Sequence, residues 1–339
     1  MEFSQFNAEQ QQAANLKSHR VKFIATAGCG KSAVMAYKIK HDGYQNVRTI
    51  SFTNAQINKL KNDTIESETT HRFCIDVLNS LDLPSFGIDS ISALWEYLEQ
   101  RPNLRIPKSF CDALYVDECQ DSPRDFVKIL NRLEGDVYVF GDPNQSIFLF
   151  NGSVGSDWNN DSGHWQTFYF HQCYRCTQDI LNYAYLFMQQ PYVIHGHAKP
   201  ENCNPDNYMC LAFTNKQVEE LRSFGLKATT VHKAKGEEWD VVYFYTENGD
   251  RWKFKGWTNY MKYVAITRAK YQVGFVNGKN GKRTLVSLDA VKDLHTLKGR
   301  AKTKAIERIF VSSVDRFTRS KYAKDYFNLV GRIQKYETR

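Results

Sequence analysis

Val21-Lys22-Phe23-Ile24-Ala25-Thr26-Ala27-Gly28-Cys29-Gly30-Lys31-Ser32 is an apolar strand that runs into a glycine-rich turn, and Lys31 to Lys40 after it reads as a helix. A strand-to-helix turn of this kind aims backbone N–H groups at an anion, and the helix dipole favours negative charge there. Ala27, Gly28, Cys29 and Gly30 would supply that cradle. Lys31 is placed to reach the β- and γ-phosphates of a nucleotide, and Ser32 to ligate Mg²⁺. The first glycine usual in such loops is Ala25 here.

The same alternation continues outward from the loop. Val47–Phe52, Ala113–Val116 and Asp136–Phe140 read as further strands separated by helical stretches. That pattern predicts an α/β fold with a parallel sheet and crossover helices, its chemistry just past the strands' C-terminal ends. Asp117-Glu118 follows the Ala113 strand. The first carboxylate suits Mg²⁺ and the second suits the attacking water. Gln145 follows the Asp136 strand, where an amide can sense a γ-phosphate, although Gly141-Asp142-Pro143-Asn144 also favours a turn in its own right.

The grammar restarts near Gln166, with strands at Thr167–Phe170, Met209–Phe213, Asp240–Phe244 and Gln272–Val276 and a helix at Thr177–Met188. Two α/β domains are therefore expected, residues 1–160 and 161–280, joined near 153–166 and followed by a basic, helical extension over 281–339. The second half contributes Arg175 and Arg268. Phosphoryl transfer gains most from positive charge on the transferring oxygens, which either arginine could supply.

Charge is unevenly spread. The chain carries a formal net charge of +8, yet Lys279 to Arg339 alone holds 16 Lys and Arg against 6 Asp and Glu. That segment suits a polyanion or a protein partner, or is a solvated helix face. No run of 18 apolar residues exists, so no membrane partner is expected. The polar N-terminus does not read as a secretory signal, which favours a cytoplasmic or host intracellular site. The eight cysteines are irregularly spaced and fit free thiols. A zinc site from Cys173, Cys176, Cys203 and Cys210 is the weaker alternative.

Taken in order, these motifs resemble superfamily 1 helicases of the UvrD/Rep/PcrA type. Phe6-Asn7-Ala8-Glu9-Gln10 is similar to the family's Q motif, which implies that Gln10 reads adenine. Ser51-Phe52-Thr53-Asn54 and Thr69-Thr70-His71-Arg72-Phe73 resemble motifs Ia and Ib. The resemblance implies that Phe52, Thr53, Asn54, Thr69 and His71 touch single-stranded DNA. Gln145 to Phe150 resembles motif III, with Phe148 and Phe150 stacking on bases. Base stacking tolerates any sequence, although an aromatic beside a strand is as readily a core residue.

Tyr174-Arg175 is similar to motif IV, implying Tyr174 against the adenine and Arg175 as an arginine finger. Thr230 to Glu238 is similar to motif V, with Thr230 and His232 toward nucleic acid and Gly236 and Glu238 toward the nucleotide. Tyr263 to Lys270 is similar to motif VI, with Arg268 as second finger. The resemblance implies two RecA-like domains that bind ATP and Mg²⁺ and move on single-stranded DNA, in replication or repair. An RNA motor, a translocase without autonomous unwinding and an inactive ATP-binding scaffold are the rivals. A monomer is favoured.

Three departures stand out. Asn151 replaces the arginine usual after motif III, the gaps that hold accessory subdomains in relatives are short, and the basic tail has no counterpart in the pattern.

Overall fold

Every residue of Arg20–Ile24 (β1) is buried, as expected of a strand covered on both faces. The computed structural model describes residues 2–51, 67–84, 89–159, 165–190, 192–247, 257–286 and 288. The Phe52, Thr53 and Asn54 assignments and the basic tail past 288 lie outside them. The chain divides into two units, the first ending at Gln172 and the second opening at Cys173.

In the first unit β1 is joined by Val47–Ile50 (β2), Ala113–Val116 (β3), Asp136–Gly141 (β4) and Gln166–Tyr169 (β5). Their order is β2-β3-β4-β1-β5, and every ladder is parallel. The helices are Ala8–Asn15 (α1), Lys31–His41 (α2), Thr70–Ser80 (α3), Ser90–Glu99 (α4) and Arg124–Leu130 (α5). Phe23 stacks on Phe140 at 4.5 Å and Tyr115 on Tyr138 at 4.9 Å, so aromatic rings tie the central strands together.

The far end of α2 is pinned by a buried ion pair. Lys38 Nζ lies 2.9 Å from the Asp42 carboxylate and donates to the carbonyls of Ala14 and Leu16. It also sits 4.5 Å over the Tyr138 ring, while Tyr115 Oη donates to Asp42 at 2.6 Å. With that end fixed, the N-terminus of α2 is held at the loop after β1.

The short strand Gln172–Cys173 (β6) spans the division and pairs with His195–Gly196 (β7). The main sheet of the second unit comprises Tyr208–Ala212 (β8), Ala228–Thr230 (β9), Trp239–Thr246 (β10), Ala269–Asn277 (β11) and Arg283–Leu285 (β12). The order is β12-β11-β10-β8-β9, parallel except for β12. Gln178–Tyr185 (α6), Asn215–Ser223 (α7) and Asn259–Ile266 (α8) are its helices. Cys210, Ala212, Leu221, Val241 and Val276 meet in its core.

Two boundaries expected from sequence shift. The strand assigned to the start of the second domain is β5, which pairs with β1, so the first unit runs twelve residues past 160 to Gln172. The basic extension is expected to begin at 281, but Arg283–Leu285 is the antiparallel edge strand β12. For β5 the strand's pattern fixes its conformation but not its partner, which is a non-local choice, whereas β12 lies in a segment read from sequence as helical.

Candidate active site

The loop after β1 is shaped by two glycines in the left-handed region, Gly28 at φ 81° and Gly30 at φ 84°. Gly30 is the N-cap of α2 and offers no capping side chain, so backbone groups alone mark this helix end. Lys31 is buried, and its Nζ donates to the Ala25 carbonyl at 2.9 Å. Ala25 N–H donates to the Gly141 carbonyl at 3.0 Å, extending the β1–β4 ladder into the loop. Ala27 and Cys29 are buried, while Ser32 is half-buried.

Gln10 braces this loop from behind. Its Oε1 accepts the Asn7 N–H at 3.1 Å and its Nε2 donates to the Cys29 carbonyl at 3.2 Å. Asn7 Oδ1 in turn accepts the Gln10 N–H at 2.7 Å, closing a capping box at the start of α1. A Cβ on Gly30 would fall 2.3 Å from Gln10 Nε2. The expected adenine reader thus uses both ends of its amide within the chain.

The acids follow β3. Asp117 is buried, and its N–H donates to the Ile50 carbonyl at 2.9 Å. Glu118 adopts φ 49°, ψ 48°, a left-handed conformation that is costly for a glutamate. The Asp117 carboxylate accepts the Glu118 N–H at 3.0 Å. Gln120, fully buried, donates Nε2 to the Glu118 carboxylate, and its Oε1 accepts the Asp142 N–H at 3.1 Å. The Asp142 carboxylate then accepts from the Asn144 N–H at 2.9 Å and from Gln145 Nε2 at 3.0 Å. Because β4 lies between β1 and β3, the loop, the acids and Gln145 emerge side by side at one sheet edge.

In the second unit Arg175 Nε donates to Glu238 Oε2 at 2.5 Å, and Lys270 Nζ lies 2.9 Å from Glu238 Oε1. Burial alone would raise the Glu238 carboxyl, but Lys270 and Arg175 outweigh it and hold it below the usual glutamate range. The bond to Glu238 raises Lys270 in return. Arg175 Nη1 is buried and has no hydrogen-bond partner among the described residues. Tyr174 is half-exposed and stacks on His197 at 5.1 Å. Gly236 stands at φ 94° with open space where a Cβ would be.

Arg268, which the resemblance implies as the second finger, follows α8. It is 1% exposed and donates to the Val264 and Glu237 carbonyls and to Thr267 Oγ1 at 3.1, 3.4 and 3.3 Å. Reaching a phosphate would require those bonds to be exchanged.

Of the residues assigned to nucleic acid, Phe148 and Phe150 have ring centroids 6.2 Å apart, and Phe150 is 70% exposed beside exposed Leu149. His71 is exposed, 3.8 Å from the Asp89 carboxylate. Thr69 has a structural task, accepting the Arg72 N–H at 3.2 Å as the N-cap of α3. Thr230 is buried at the end of β9 and accepts the Lys233 N–H at 3.4 Å, and the His232 ring lies 6.5 Å from Phe213. Among the described residues no cluster of three or more His, Cys, Asp or Glu is arranged to hold a metal ion, and no helix is long and apolar enough to cross a membrane.

Sequence reasoning gives Gln120, Asp142 and Lys270 no task. Their position inside the acidic motif, the motif III turn and the end of motif VI is the available signal.

A glycine-rich loop, buried Asp117 with half-buried Glu118, and buried Gln145 follow neighbouring strands of one parallel sheet, so the class the fold and site define is α/β with its candidate residues at the strands' C-terminal ends. Residues 24–277 match the viral superfamily 1 RNA helicase core domain, and the chain belongs to that family. The Gabija protein GajB of Bacillus cereus (strain VD045) is 31% identical over 84 residues, 23% of this chain and 17% of that protein. The arterivirus nonstructural protein 10 (helicase) is similar in structure over 79% of this chain and 61% of its own, at 15% identity and a TM-score of 0.46. The PRRSV helicase aligns over 81% of this chain and 57% of its own, at 14% identity and a TM-score of 0.45. The chain thus spans less than two thirds of the length of these relatives.

Proposed function

We propose that the chain is the core of an ATP-driven motor that moves on single-stranded nucleic acid. The carrying observation is that the Lys31 loop, the Asp117-Glu118 pair and Gln145 share one edge of one parallel sheet. One further observation supports a nucleotide there: two left-handed glycines, Gly28 and Gly30, lead into the α2 N-terminus.

In this reading the N–H groups of residues 27–30 bind phosphate oxygens. Lys31 leaves the Ala25 carbonyl for the β- and γ-phosphates. Mg²⁺, when bound, neutralises phosphate charge, with Ser32 and Asp117 as its holders. Glu118 orients the attacking water and Gln145 senses the γ-phosphate. Arg175 and Arg268 come from a second RecA-like domain as the fingers, Tyr174 lies against the base, and Gly236 and Glu238 lie near the ribose. Closure and reopening around each ATP would move the protein along the strand.

The motif order favours a UvrD/Rep/PcrA-like motor on DNA, and Gln-Ser-Ile at 145–147 favours 3′→5′ travel. RNA is the second reading, favoured by the family's description as RNA helicases. Steady-state ATP hydrolysis with single-stranded DNA, single-stranded RNA or neither tests the proposal. Stimulation by either polymer supports it, the better stimulant names the substrate, and a chain without ATPase activity under all three conditions refutes it. Displacement from partial duplexes with only 5′ overhangs would refute the polarity.

A further inference from the structure

We propose that Gln120 is a positioning residue that couples the carboxylate of Glu118 to the turn carrying Gln145. The inference rests on the ATP-hydrolysing reading above and extends it to a residue that touches no substrate.

The orientation of the Gln120 amide follows from its neighbours. A backbone N–H can only donate, so the oxygen of the amide must face Asp142 N–H, as it does at 3.1 Å. The NH₂ group is thereby turned to the Glu118 carboxylate, which can only accept when ionised. The side chain has no freedom to turn away. It is 0% exposed, and a Cβ on Gly141 would fall 2.5 Å from its Oε1. Glu118 itself is held in the left-handed region, so its carboxylate position depends on this bond as well as on its backbone.

Beyond Asp142 the same chain of bonds continues. The Asp142 carboxylate takes Gln145 Nε2 at 3.0 Å and the Asn144 N–H at 2.9 Å. A displacement of Gln145 is therefore transmitted through Asp142 and Gln120 to the oxygen of Glu118. The carboxylate meant to orient water and the amide meant to sense the γ-phosphate share one rigid linkage, and Gln120 is its middle member.

Substituting Gln120→Met separates coupling from packing. The thioether chain keeps much of the volume of the amide but donates nothing to Glu118 and accepts only weakly from the Asp142 N–H. If Gln120 acts by linking Glu118 to the turn that carries Gln145, its loss costs less once the Gln145 amide is already gone, because the two changes then break one linkage.

The experiment is ATP hydrolysis by the full chain at pH 8, with KM and kcat measured for wild type, Q120M, Q145A and the double variant. The expected result for Q120M is a kcat lowered on the order of 10- to 100-fold with KM for ATP little changed. Adding Q120M to Q145A should cost a smaller factor than adding it to wild type. Q120N, whose amide is one methylene too short to reach both partners, should behave as Q120M does and covers the case in which Q120M is poorly folded. A wild-type kcat in Q120M or Q120N, or the same loss in both backgrounds, overturns this inference and leaves the hydrolase reading standing. A wild type that hydrolyses no ATP overturns both.

Discussion

Replacing Gly30 by alanine should damage the loop in two separable ways. The first is conformational: Gly30 sits at φ 84°, ψ 18°, and a side chain in that region costs about 1–2 kcal/mol. The second is a collision, because the new Cβ would lie 2.3 Å from Gln10 Nε2. Gln10 must then move and give up its bond to the Cys29 carbonyl, a further ~0.5–1.5 kcal/mol. Gly43 provides the control, since it has φ 83° but no atom within 4 Å of the place a methyl group would take. G43A should therefore show only the first cost. By urea unfolding G30A should be about 1 kcal/mol less stable than G43A, or roughly 2–4 °C in melting temperature for a unit of this size. In a Gln10→Ala background that excess should vanish. Equal costs for G30A and G43A, or an excess that survives Q10A, would refute the role given to Gln10 as the brace of the loop.

Three further outcomes are expected. Lys31→Ala should abolish ATP turnover while leaving single-strand binding in a filter or anisotropy assay largely intact. Phe150→Ala should weaken single-strand binding by about 1–3 kcal/mol without changing the melting temperature, because the ring is 70% exposed. Glu238 is held below the usual glutamate range, so its contribution to folding is full above the unfolded value and lost as pH falls through the lowered folded value. Melting temperature against pH should accordingly fall less steeply for E238Q than for wild type just below the usual glutamate range, an effect within about 1 kcal/mol because the carboxylate is 40% exposed.

Much of the first sheet is legible in the sequence because its strands are short apolar runs closed by glycine or acid. Ala113–Val116 reads with the bounds the structure gives, and α2 to within a residue. What local pattern does not show is pairing. Thr167–Phe170 looks like the opening strand of a second domain, yet β5 at Gln166–Tyr169 adds to β1, because an edge strand's partner is chosen by the whole sheet. The site is legible as residue types at strand ends, but not as bonds. Nothing in Asp117-Glu118-Cys119-Gln120 announces a left-handed glutamate or an amide bridging to Asp142. The burial of Arg268 is likewise hidden, since it is held in part by two main-chain carbonyls and a neighbouring hydroxyl.

The central claim is that a nucleotide held by Lys31 and the acids is completed by a guanidinium from the second half of the chain. Hydrolysis at saturating ATP by Arg175→Ala, with nucleotide binding measured in parallel, tests it most directly. The account predicts a turnover lowered by about 10³-fold or more with nucleotide still bound. Turnover within a few-fold of wild type would contradict it.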